Sequence, residues 1–189
     1  MCRLNGGDMD LRVQKTQRSI INAFIELRSK KNLEKITVKE LAERAEINKA
    51  TFYQHYKDIY DLSEQLEEEA IENAIRSIPH PENIIKNSRE GFLHIVSAIM
   101  SQSQLFRILF SGTRNHLLIE KLEKELKQLI FEVYPEYRDN LEKDLLLTVL
   151  IQGSFHAVFT HQEHGFDEVI DVLCNINECL LSNYPMDRK

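Results

Sequence analysis

Two helix-start signals, at Thr37 and at Asn48, constrain this chain more than any other feature of its sequence. Thr37 precedes Val38-Lys39-Glu40, so its side chain can cap the free amides of a new helix while Glu40, at the third helical position, reaches back. Asn48 does the same for Lys49-Ala50-Thr51. The first of these helices carries Leu41, Ala42 and Ala45 and has little more than two turns before the pattern pauses at Glu46-Ile47; the second spans residues 49–56 and is equally short. Leu41, Ala42, Ala45, Ile47 and Phe52 fit a small shared core, in which the two alanines permit close approach of the helices. A preceding helix over residues 11–29, with Val13, Ile20, Phe24 and Leu27 at helical spacing and Arg12, Lys15 and Arg18 on another side, supplies the third wall.

The rest of the chain reads as helical too. Asp58 can cap a long charged helix over 59–77, which Ile78-Pro79-His80-Pro81 stops. Further helices are expected over 81–101, 104–110, 114–134 (ended by Pro135), 139–164 (closed by Gly165) and 167–184. With only 6 Gly, 4 Pro and no Trp, the expectation is an all-α fold of about nine helices. It divides into a loose arm over 1–10, a three-helix unit over 11–58 and a helical bundle over 59–189, with helix 59–77 connecting the two. No run approaches the length of uncharged apolar sequence that a membrane span needs. The three cysteines, Cys2, Cys174 and Cys179, are odd in number and form no CxxC pair, which suits a reduced, cytoplasmic setting.

Charge separates along the same division. Residues 1–60 hold 12 Lys/Arg against 8 Asp/Glu, while residues 61–189 hold 12 against 22, within a total of −6. A basic unit that presents two short helices joined by a tight turn has the shape of a reader of the DNA major groove. The run Ile36-Thr37-Val38-Lys39-Glu40-Leu41-Ala42-Glu43-Arg44-Ala45, followed by Ile47-Asn48-Lys49-Ala50-Thr51-Phe52-Tyr53-Gln54-His55-Tyr56-Lys57-Asp58, resembles the signature of the TetR/AcrR family of transcriptional regulators over residues 11–66. Beyond residue 80 only the helix lengths are similar to that family. The chain departs from the usual pattern at three places: Glu46 where glycine is frequent, Asn48 where serine is usual, and Ala50 where glycine is frequent. Asn48 keeps the cap, Ala50 offers a methyl to a thymine methyl, and Glu46 makes the turn's backbone less permissive.

The resemblance implies that Thr37, Tyr53, His55 and Lys57 meet phosphates of double-stranded operator DNA, and it leaves Lys49, Ala50, Thr51 and Gln54 as candidates for base edges. Tyr53 and Tyr56 are three residues apart and one helical face must be buried, so Tyr56 is the better candidate for packing and Tyr53 for DNA. For Lys49 and Lys57 the plainer alternative is simple solvation. The resemblance also implies repression, with release by a small-molecule effector. Two alternatives stand beside it: control by a protein partner without any inducer, and activation.

In the acidic half, helix 139–164 is apolar nearly all round, through Leu145-Leu146-Leu147 and Val149-Leu150-Ile151, and so must be covered on two sides. Val169, Val172, Leu173, Ile176 and Leu180 form a stripe on the last helix. These two helices are expected to pair with their twofold mates in a homodimer, which would set two recognition helices about 34–36 Å apart on a palindrome. Phe92, His94, Met100, Phe106, Phe110, His116, Phe155, His156 and Phe159, together with Phe131, are the candidates to line an effector cavity, although core packing is the plainer account of any single Phe or Met. His161-Gln162-Glu163-His164, with His156 nearby, resembles a ligand cluster, yet the (i, i+4) histidine pair of a zincin is missing and no cysteine joins them, so no metal site is expected. No phosphate loop, nucleophile elbow or paired-carboxylate motif is present, so neither an enzyme nor a cofactor is expected.

Overall fold

A computed structural model describes residues 6–184, and among these residues there are ten α-helices and no strand. They are α1 Gly6–Arg28, α2 Val38–Arg44, α3 Lys49–Tyr53, α4 Ile59–Arg76, α5 Asn83–Lys86, α6 Ser88–Ser101, α7 Ser103–Leu109, α8 Asn115–Val133, α9 Leu141–Thr160 and α10 Phe166–Asn183. The chain forms two compact units. The first ends at Glu69 and takes in Gln104–Asn115; the second comprises Ala70–Ser103 and the chain from His116 onward.

The first unit is built around α1, whose Ile20, Phe24 and Leu27 are buried together with Leu41 and Ala42 of α2 and Phe52 of α3. Into this unit the segment 104–115 brings buried Phe106, Leu109 and Phe110. Three polar ties hold it there. Buried Arg28 donates to the carbonyls of Leu109 at 3.0 Å and Ser111 at 3.2 Å. Arg114 donates through Nε and Nη2 to the two carboxylate oxygens of Glu67 at 2.5 and 2.7 Å. Thr113 donates to Glu34. Glu67 is wholly buried, and this two-pronged bond raises the Arg114 guanidinium's hold on its proton.

In the second unit, α9 lies beside α10 and α10 beside α6. Between α8 and α9 runs a polar seam: Lys127 donates to Asp144 at 2.7 Å and to the Thr148 hydroxyl at 2.6 Å, and Thr148 and Gln152 both donate to Glu123. Fixed donors of this kind set the register of two helices whose contact is otherwise apolar.

Several expectations need correction. Residues 6–10, expected in the loose arm, begin α1; residues 1–5, with Cys2, lie outside the described residues. The single helix expected over 81–101 is broken at Asn87, whose backbone (φ −125°, ψ 77°) leaves the helical region. The cause lies four residues on. A Cβ on Gly91 would sit 2.4 Å from the Ile84 Cα, so α5 folds back onto α6 at a spacing only glycine allows. Helix α9 stops at Thr160 and a 3-10 turn covers Gln162–His164. The segment 104–115, expected in the C-terminal bundle, belongs to the first unit.

Replacing Gly91 with alanine is expected to destabilise the second unit by about 1–3 kcal/mol through overpacking. The check is the urea unfolding midpoint; an unchanged midpoint would show that α5 does not press on α6 at this point.

Candidate functional site

The helix-turn-helix forms as the caps demand. Glu40 N donates to Thr37 Oγ1 at 3.2 Å and Thr51 N to Asn48 Oδ1 at 2.7 Å. Helix α2 ends in a Schellman arrangement: Ile47 N donates to the Ala42 carbonyl at 3.0 Å and Glu46 N to the Glu43 carbonyl at 3.3 Å. This motif places the residue after the cap in the left-handed region, and Glu46 has φ 55°. The sequence flagged Glu46 as a less permissive residue in the turn, and the geometry gives the reason, since a side chain there crowds its own backbone.

Burial of Phe52 and of Tyr56, which is 4% exposed, turns the other side of α3 outward. Thr37, Lys49, Ala50, Tyr53, Gln54 and Lys57 are exposed, and Thr51 and His55 are half-buried. Tyr53, 57% exposed, stands edge-on to Phe52. The Tyr56 hydroxyl accepts from Gln17, and burial pushes its pKa up. The Thr51 hydroxyl lies 3.0 Å from Asn48 Oδ1, so it is engaged in the cap and offers chiefly its methyl and remaining lone pair outward. At the start of α4 the amides of Tyr60 and Asp61 donate to Asp58, and the amide of Lys57 donates to Asp61. The Lys57 amide and the Gln65 side chain hold the Asp61 carboxyl below the usual range. These amides are taken by the chain's own carboxylates, so at this end the group left for a phosphate is the Lys57 ammonium. Arg12 and Lys15 are exposed along α1.

The second unit contains a cavity of about 100 Å³. Of the residues expected to line it, Phe92 and Met100 on α6 and Phe155 and Phe159 on α9 do so. His94, His116 and His156 do not, and neither does Phe131. Phe106 and Phe110 belong to the core of the first unit instead, 6.0 Å apart and edge to face. His94 is half-buried and its Nδ1 has no partner, whereas His156 is exposed. Sequence reasoning missed Ile84 on α5, Leu126 and Ile130 on α8, and the buried pair Ser154 and Asn177. A signal for Asn177 was present, as it continues the inward stripe of Ile170, Leu173 and Cys174 on α10.

His161, Glu163 and His164 are exposed, with ligand atoms that lie within 4.8 Å of one another. His161 Nδ1 and His164 Nε2 are 3.8 and 3.4 Å from Glu163 Oε1, distances that serve an ion pair once either ring is protonated. No described helix is long and apolar enough to cross a membrane.

A basic helical unit with two capped, tightly turned helices is a DNA-binding helix-turn-helix. Residues 20–66 match the family model of bacterial regulatory proteins, tetR family, and form its N-terminal DNA-binding domain. The matched segment, about a quarter of the chain, is thus a DNA-binding domain of the kind found in transcriptional regulators. No curated protein and no solved structure gives a significant match to the chain.

Two outcomes follow from this geometry. Glu46→Gly should relieve the left-handed strain and raise stability by about 0.5–1 kcal/mol, read as a higher melting temperature. If Lys49 and Gln54 read bases, Lys49→Ala and Gln54→Ala should each cost about 1–3 kcal/mol at the cognate site and little on random DNA, by fluorescence anisotropy with both duplexes. Equal losses on both would make them backbone contacts.

Proposed function

We propose that the protein is a cytoplasmic, homodimeric repressor that holds a palindromic operator through α3 and releases it when a small molecule fills the cavity of the second unit. The cavity carries this reading: a regulator controlled only by a protein partner has no use for an unfilled apolar space in its bundle, whose lining would gain contacts by closing. In the DNA complex, Lys57, Tyr53, His55 and Thr37 meet phosphates, while Lys49, Ala50, Thr51 and Gln54 face base edges.

The dimer reading rests on an unpartnered apolar face. Leu141, Leu145 and Val149 on α9, and Val172 and Ile176 on α10, are large apolar residues left exposed, Val149 at 56%. Gly153 continues that side of α9, and a Cβ there would meet nothing within 4 Å. Glycine inside a helix costs about 1 kcal/mol relative to alanine. Close approach of a second helix gives this one a use.

Covalent continuity supports the coupling. Helix α6 lines the cavity and runs at once into α7, which belongs to the first unit, and α4 crosses from one unit to the other at Glu69. Coupling of about 1–3 kcal/mol would weaken operator binding roughly 5–150-fold.

Selection of random duplexes by the purified protein should enrich a palindrome bound by dimers. Its affinity should fall steeply with salt, by about 0.9 in log K per log salt for each phosphate neutralised. Val149→Asp should give monomers by sedimentation and lose the palindrome's cooperative binding. A folded, dimeric protein that enriches no sequence would overturn the operator reading.

A further inference from the structure

The cavity in the second unit is lined by residues of α5, α6, α8, α9 and α10, and not one of them is ionisable. Among the described residues its only polar side chains are Ser88, Ser154 and Asn177. Ser154 is 6% and Asn177 8% exposed, so both are more than nine-tenths buried and yet form part of the cavity wall. They bond to each other, Asn177 Nδ2 donating to Ser154 Oγ at 3.1 Å, with Ser154 Oγ a distant 3.5 Å from Asn177 Oδ1. An amide carries two donor hydrogens and an acceptor with two lone pairs. The pair therefore satisfies one N–H well and leaves the second N–H and most of the carbonyl's capacity without a protein partner, in a place water reaches poorly.

A charged molecule placed here would lose its hydration and meet no counter-charge, a cost far above that of a neutral polar group with a hydrogen-bond partner. A purely apolar molecule would leave Asn177 unsatisfied. At about 10–15 Å³ for each water-sized group, a cavity of about 100 Å³ takes roughly seven to ten non-hydrogen atoms. Three exposed large side chains, Met100, Phe159 and Phe166, belong to the wall and mark its open side.

From these observations we infer that the cavity selects an uncharged molecule of roughly seven to ten non-hydrogen atoms, apolar along its length and bearing one hydrogen-bonding group that Asn177 and Ser154 engage. This rests on the reading of the cavity as an effector site, and it names the chemical class that site accepts.

Three probes of one chain length differ only in their head group: 1-octanol, octanoate and octylammonium, titrated calorimetrically into the full chain at neutral pH. The expected result is that 1-octanol binds at least about tenfold more tightly than either ion. Asn177→Leu should weaken 1-octanol by about threefold to tenfold, the worth of one hydrogen bond. Asn177→Asp should reverse the ranking and make octylammonium the best of the three, a gain that a merely damaged cavity would not show. Equal binding of the ions and 1-octanol, no binding of 1-octanol, or a ranking unmoved by Asn177→Asp would overturn the inference. Operator affinity measured on the same samples separates the two claims. If 1-octanol binds with this preference and the operator is not released, the ligand class stands and the effector reading falls. If an ion binds better and releases the operator, the effector reading stands and the ligand class falls.

Discussion

The contact on which the arrangement of the chain depends is the ion pair between Glu67 and Arg114. Glu67 has no solvent exposure, and removing a carboxylate from water costs several kcal/mol that a partner must offset. Arg114 does so with two parallel bonds, and the Ser63 hydroxyl donates a third to the same carboxylate at 2.9 Å. Pairs of this kind contribute little net stability compared with well-packed apolar substitutes, but losing one partner leaves a buried charge uncompensated. The pair therefore acts chiefly on which segments are held together. Arg28, also buried, adds a second condition, because its guanidinium reaches the Leu109 and Ser111 carbonyls only if α7 ends where it does. Together they oblige the chain to leave the second unit at Ser103, enter the first, and return at His116.

That excursion explains why some aromatic residues have different roles from those their sequence context suggests. Phe106 and Phe110 sit among helices of the acidic half, yet they fill the unit that carries the helix-turn-helix. Phe92, Phe155 and Phe159, of the same type, line the cavity. What sets the first group apart is the tie of its segment to Arg28, some eighty positions earlier in the chain, which donates to the Leu109 and Ser111 carbonyls.

Local signals were legible and long-range ones were not. Thr37 and Asn48 announced their helices because a cap acts over three residues, and each bonds the amide it should. Most helix ends were visible in the prolines and polar caps. The outward face of the helix-turn-helix was legible for the same reason: once Phe52 and Tyr56 are committed to the core, a helix this short leaves Lys49, Ala50, Tyr53 and Gln54 exposed. The break at Asn87 could not be read, since it answers to the approach of Ile84 on Gly91, a contact made only after the chain has turned. The cavity was half legible. Aromatic residues drew notice, whereas the residues that give it chemical character, Ser154 and Asn177, lie on apolar stripes where a polar residue is easily passed over.

Helix α9 shows why such a stripe is hard to interpret from composition alone. It is apolar nearly all round, and the two sides have different surroundings. One carries Leu147, Ile151 and Ser154, which are buried and face the cavity. The other carries Leu145 and Val149, which are exposed, and then Gly153, where the helix forgoes a side chain altogether. A helix on the surface of a monomer has no need of the second face, which in water costs solubility and gains nothing. The second copy proposed above would cover that face, and the same helix would then be buried on both sides.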